Sequence, residues 1–337
     1  MTTVSIGDLA RSFQMRRHNA DLQTRLSTLT QEMTTGQRAD IGAAVAGDFK
    51  ALAGLDHSLR LLDGYRTAAS EAALFAAGQQ RVLGTVQSLS QDFAPSLLNA
   101  GTVATAQMVE TTTVDARQKF QSAVSALNTQ IADRFLLSGT ATDRAPISGA
   151  QDILDALART TAGLTTAGDV IAAIQSWFDA PTGGGGFTDT AYGGAAPQGA
   201  VEIGANDSVA LDVTALDPAI RDTLKGLALA ALVADGALAG DAAGRALVTR
   251  TAGETILGAG SSLTTLSARV GSAEAHIAES ASRTAAEAGS LAIARSALVA
   301  ADPYATATAL QSAQTQIETL YSITARLSRL SLADFLR

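Results

Sequence analysis

The chain has 337 residues, a formal net charge of −8, no cysteine and 47% apolar residues, with only 4% aromatic. The acidity excludes a surface built to neutralise phosphates, and so nucleic acid. The missing cysteine removes disulfides, thiolate metal sites and thiol nucleophiles together. Much of the apolar fraction is alanine, which favours helix but buries little area, so the composition predicts long helices packed closely side by side.

Residues 1–20 carry no continuous apolar run of the kind a cleaved signal peptide needs. The most apolar stretch, Lys225 to Asp235, is about half a membrane span, which predicts no membrane insertion. A first helix is expected from Ser5, with Asp8 completing a capping box. Leu22, Leu26, Leu29 and Met33 then follow 4-3-4 spacing, a narrow apolar seam. The stretch Gly36 to Gly47 reads as small and flexible. A second helix carries Leu61, Tyr65, Ala68, Ala72, Phe75, Gln79, Val82, Val86, Leu89 and Phe93 at steps of three or four. Pro95 and Asn99-Ala100-Gly101 are expected to end it. A third, capped by Thr102, presents Phe120, Val124, Leu127 and Ile131 and stops at Ser138-Gly139.

From about Thr140 to Gly240 the pattern changes. Prolines and glycines punctuate the segment, and Val201, Ile203, Val209, Leu211 and Val213 alternate with polar or small residues, the mark of half-buried strands. Ala205-Asn206-Asp207-Ser208 reads as a hairpin turn, with a helix at about 150–162 and another from Asp217-Pro218 to Gly236. Helix then resumes. Leu263, Leu266, Val270, Ala273 and Ile277 form a seam that recovers at Leu291, Ala294 and Leu298. Asp302-Pro303 breaks and restarts the chain, and Leu310, Ala313, Ile317, Leu320, Thr324, Leu327 and Ser331 line the last helix.

The predicted fold is therefore mainly α: an elongated coiled-coil-like bundle formed by both chain ends, with a small α+β insert domain in the middle. Its parts are 1–140, the first half of the stem; 141–240, an insert at its far end; and 241–337, the second half. The last helix cannot offset the entropy of its own ordering through one narrow seam, so it needs neighbours, either copies of the chain or the other end of the same chain. Leu22, Leu26, Leu29, Met33, Leu310, Ile317, Leu320 and Leu327 are the expected subunit-interface residues.

Catalytic chemistry has little to stand on. His18, His57 and His276 are scattered without a metal-ligand partner, and no Gly-x-Ser-x-Gly elbow occurs. Gly183 to Gly186 is followed by Phe187, not Lys-Ser/Thr, so it reads as a flexible connector and not a phosphate loop. Neither catalytic, cofactor nor metal residues are assigned.

Three segments resemble one family. Leu29-Thr30-Gln31-Glu32-Met33-Thr34-Thr35-Gly36-Gln37-Arg38 resembles a segment near the start of bacterial flagellins and hook-associated proteins. Phe135-Leu136-Leu137-Ser138-Gly139-Thr140-Ala141-Thr142-Asp143 is similar to a signature of the hook–filament junction branch of that family. Leu330-Ser331-Leu332-Ala333-Asp334-Phe335-Leu336 is similar to its ending. The family's acidic turn after the arginine is replaced here by Ala39-Asp40-Ile41-Gly42-Ala43-Ala44. The resemblance implies a non-enzymatic structural subunit joining hook to filament, exported without a cleaved signal peptide and located outside the cell, with its 141–240 insert outward-facing. Implied partners are a hook-side junction protein, flagellin, copies of itself in a ring, and a cytosolic export chaperone. A filament flagellin is the nearest alternative, and a cytosolic coiled-coil signalling or adaptor protein the second.

Overall fold

The computed structural model describes residues 6–335 except Ala104, and the side chains of Ala10 and of residues 13–326 other than 103 and 104. Ser5, proposed as the first cap, lies outside the described residues, as do the side chains of Asp8, Leu327 and Ser331. The elements in order are α1 (Ile6–Thr35), α2 (Ile41–Ala44), α3 (Lys50–Val103), α4 (Ala106–Leu127), β1 (Gln130–Ile131) and β2 (Arg134–Phe135). There follow α5 (Ala150–Thr160), α6 (Ala167–Asp179), α7 (Phe187–Thr190), β3 (Val201–Gly204), β4 (Asp207–Val209), α8 (Pro218–Ala234), α9 (Ala242–Val299) and α10 (Pro303–Phe335). The protein is mainly α, with two small antiparallel hairpins, β1–β2 and β3–β4. Two compact units result: Met1–Asp63 with Ala286–Arg337, and Gly64–Ala285.

The second unit is built around α8. Asp217 caps it by accepting from the Ala219 amide at 3.1 Å, with Pro218 in the first turn where its missing N–H costs nothing. Every residue from Thr223 to Val233 is buried, the pattern of a helix apolar on all sides and enclosed by others. α4, α5 and α6 all pack on it. Gly226 lets α9 come close: a Cβ there would lie 2.5 Å from Ile256 Cγ1 and 2.9 Å from the Ala252 carbonyl oxygen. Lys225, the one charge in this run, sends its ammonium out to Asp179, at 2.8 and 2.9 Å, and to Asp222 at 2.9 Å.

The insert is consequently no appendage. Leu83 of α3, Phe120 of α4, Leu263 of α9 and the insert's Ile174, Phe187 and Leu227 belong to one continuous core. Residues 141–240 share this burial with the helices on either side.

Segment Phe135 to Thr142 explains how the join is made. Leu136, Leu137 and Ser138 are buried, and their carbonyls are taken up in turn. Leu136 accepts from Gln79 Nε2 at 3.0 Å, Leu137 from the Ala215 amide at 3.0 Å, and Ser138 from the Ala195 amide at 2.9 Å. Gln79, wholly buried on α3, also donates to the Val213 carbonyl at 3.3 Å. Gly139 has φ +63°, and a Cβ there would lie 2.2 Å from the Ala196 oxygen that accepts the Thr140 amide. The segment thus ties α3 to the strand-like stretches on either side of the β3–β4 hairpin.

Several boundaries differ from the sequence reading. α3 continues through Pro95 to Val103, because Phe93, Ala94, Leu97 and Ala100 keep its apolar face buried past the proline. Core packing there outweighs the one lost hydrogen bond. α4 is capped by Thr105 and not Thr102, and it ends at Leu127, leaving Ile131 in β1. The seam on α3 is buried from Ala72 to Phe93 with Leu89 half-buried; before it, Leu62 and Ala69 are buried where Leu61 and Ala68 were expected. Asp207 and Ser208 belong to β4, so the turn is only Ala205-Asn206. The stretch 36–47 contains α2, capped by Asp40 accepting from the Ala43 amide. On α9 Leu263, Leu266, Val270 and Ile277 are buried and Ala273 is half-buried, but Ala294 and Leu298 are exposed and Val299 is buried instead.

α6 and α7 add to the helices that the sequence predicts. Thr166 with Asp169, then Val170, Ile174, Trp177 and Phe178 at helical spacing, was the available signal. Trp177, Phe178 and Phe187 form an aromatic cluster with centroids 5.0 to 5.9 Å apart. The Gly183–Gly186 loop is held and not free, since Asp189 accepts from the Gly183 amide at 2.9 and 3.0 Å and from Gly185 at 2.7 Å. These amides hold the Asp189 carboxyl below the usual carboxylate range. Its stabilising effect is therefore present above the unfolded pKa and is lost as pH falls through the depressed one.

Two outcomes follow from this packing. Deleting 145–240 strips α8 from α4 and should abolish the cooperative thermal transition of the second unit, read by circular dichroism. Retention of a sharp transition would show the insert to be separable. Gly139→Ala, forced into a left-handed backbone against a carbonyl, should cost about 2–3 kcal/mol, a fall of roughly 5–10 °C in Tm.

Candidate assembly surface

In the first unit α1 and α10 pack on each other. They run antiparallel: Gln37 bridges Ala300 in that sense, and farther along Gln23 Nε2 donates to the Tyr321 hydroxyl at 3.4 Å. Two backbone bonds clip the turn after α1 to the turn before α10, Arg38 amide to Val299 carbonyl at 2.9 Å and Ala301 amide to Gly36 carbonyl at 3.0 Å. Asp302 starts α10 by accepting from the Tyr304 and Ala305 amides at 2.9 and 3.1 Å. An ion pair of 2.6 Å joins Asp56 on α3 to Arg295 on α9 within the same unit.

The seam residues share this pair of helices but are not equally covered. Leu22 and Ala313 are buried; Leu26, Leu29, Leu310, Ile317 and Leu320 are half-buried; Met33 is 49% exposed. Leu327 lies outside the described side chains. Thr306, which periodicity did not single out, is buried beside the turn. Thus the seams first meet each other within one chain.

A two-helix pair can cover only one stripe of each helix, and the rest shows. Phe13, Tyr321 and Ile323 are 64%, 51% and 45% exposed. Between α1 and α10 an open groove of about 600 Å³ is lined by His18, Thr315, Thr319, Leu320 and Ile323. Its lining mixes hydroxyl and amide side chains with the apolar Leu320 and Ile323.

Charge is divided unevenly. The first unit has eleven basic and eleven acidic residues, whereas the second has thirteen basic and twenty-one acidic. Within the second, residues 141–240 hold four basic against twelve acidic and so account for the whole net charge of −8. Among the described residues no group of His, Asp and Glu side chains is placed to hold a metal ion, and no helix is long and apolar enough to cross a membrane.

Residues 254–336 match the family model for the bacterial flagellin C-terminal helical region. That stretch takes in the later part of α9 and all of α10. Among solved structures the chain is similar to a protein assigned as a flagellar hook-associated protein from Vibrio parahaemolyticus. The identity is 15%, the match covers 73% of this chain and 99% of that one, and the TM-score is 0.43. No curated protein matches the sequence.

The seam and the open face can be told apart by mutation. Ile317→Asp should loosen α1 from α10 in the monomer, raising amide exchange in both while leaving the Tm of the second unit unchanged. Ile323→Asp, already in contact with water, should leave monomer exchange unaltered. Equal effects from the two would mean that the seam does not hold the pair together.

Proposed function

We propose that the chain is an exported structural subunit of the bacterial flagellum, placed at the junction of hook and filament and without enzymatic activity. The observation that carries this reading is the match of 254–336 to the flagellin C-terminal helical region. It falls on α10, the helix that pairs with α1 yet leaves Tyr321 and Ile323 uncovered. A packed pair with apolar side chains still open is half of a helical interface, and neighbouring copies of the same unit are the natural cover. Net neutrality of the first unit fits this, since like copies can then approach without repulsion.

In this reading Leu22, Leu26, Leu29, Leu310, Ile317 and Leu320 order the α1–α10 pair, and Met33, Phe13, Tyr321 and Ile323 meet the neighbour. Junction placement rests on the Phe135 to Asp143 segment and its resemblance to junction proteins. The partners would be a hook-side junction protein, flagellin, further copies in a ring, and a cytosolic chaperone during export. A filament subunit is the second reading, favoured by the matching family model being that of flagellin itself.

Electron microscopy of cells lacking the gene separates the two. Hooks without filaments, with flagellin released to the medium, is the outcome expected of a junction subunit. If flagellin is neither made nor released, the chain is the filament protein; normal filaments would remove it from the flagellar shaft. Complementation with Ile323→Asp should restore secretion of the chain but not filament growth.

A further inference from the structure

The charge map carries a consequence for assembly, resting on the reading of α1 and α10 as the packing surface. Excess negative charge is confined to 141–240, and the unit holding α1 and α10 is balanced. The basic side chains in that stretch are largely engaged. Lys225 and Arg221 meet Asp179, with Lys225 also on Asp222, and Arg144 lies 4.0 Å from Asp143. Basic residues of α4 and α9 take up further acids: Arg117 pairs with Asp235, Arg269 with Asp212 and Asp217, and Arg283 with Asp207. Asp143, Asp152, Asp155 and Glu202 are exposed to solvent. Nor does this stretch present an exposed large apolar side chain that could hold copies together.

We infer that residues 141–240 act as an electrostatic spacer, so that ionic strength sets how readily copies assemble. Whenever α1 and α10 of two copies pack, covalent linkage brings two acidic segments along, each with the same sign of charge. Their repulsion acts over a Debye length, about 30 Å at 0.01 M salt and about 8 Å at physiological strength. Assembly should therefore be suppressed in dilute salt and released by ordinary salt. An interface held by complementary charges would behave in the opposite way.

The test is sedimentation of the purified full chain, seeded with isolated hooks, in 10, 50, 150 and 300 mM sodium chloride. The wild-type chain is compared with a variant carrying D143N, D152N, D155N and E202Q. The expected result is a critical concentration that falls at least about tenfold from 10 to 150 mM for the wild type, and a dependence at least halved on a logarithmic scale for the variant. The variant's Tm, unchanged within about 3 °C, shows that folding is intact. Assembly that is indifferent to salt, weakened by salt, or equally salt-dependent in the variant overturns the spacer. Absence of seeded or unseeded assembly at every salt concentration instead overturns the packing role of α1 and α10.

Discussion

Enclosure of α8 on all sides is the constraint on which the rest of the second unit depends. Thr223 to Val233 places eleven consecutive residues out of water, with α4, α5 and α6 packed on the helix and α9 approaching it at Gly226. Because the chain is rich in alanine and poor in aromatics, burial has to come from close approach and not from large side chains. Gly226 against Ile256 shows how close, since even a methyl group would collide with the neighbouring helix. The one charge in the run escapes along its own stem to two carboxylates at the edge.

The first unit obeys the opposite economy. Its α1–α10 pair has an apolar stripe between the helices and another set of apolar side chains that stays open. Two backbone bonds, which together make one antiparallel bridge between Gln37 and Ala300, fasten it at the turns. A fold that spends its large side chains in one unit and leaves the other thinly covered is suited to finishing its packing against copies of itself.

The segment from Phe135 to Thr142 links fold to family resemblance in physical terms. Its value lies in its backbone: three successive carbonyls are used by three different parts of the second unit, and Gly139 supplies a conformation and a clearance that other residues lack. The segment that carries the family resemblance is here a structural tie. Gln79 is the matching half, a polar residue inside an apolar seam whose amide reaches two of the segments being joined.

Much was legible from the sequence alone. The helical class, the seam from Ala72 to Phe93, the caps at Asp217 and Asp302 and the strands around Val201 and Val209 all follow from local periodicity and capping chemistry. The apolar character of the α1 and α10 seams was equally visible in the spacing of Leu22, Leu26, Leu29, Leu310, Ile317 and Leu320. What local pattern could not supply was the partner of each apolar face. Pro95 reads as a break because the penalty is local, whereas the burial of Ala94, Leu97 and Ala100 that overrides it comes from distant residues. α8 reads as the last helix of an outlying insert, yet its continuous apolar run becomes a central pillar once α4 and α9 close over it. The seams of α1 and α10 likewise turn toward each other within one chain, because a stripe of leucines specifies that it must be covered and not by what. Tertiary structure alone decided that choice.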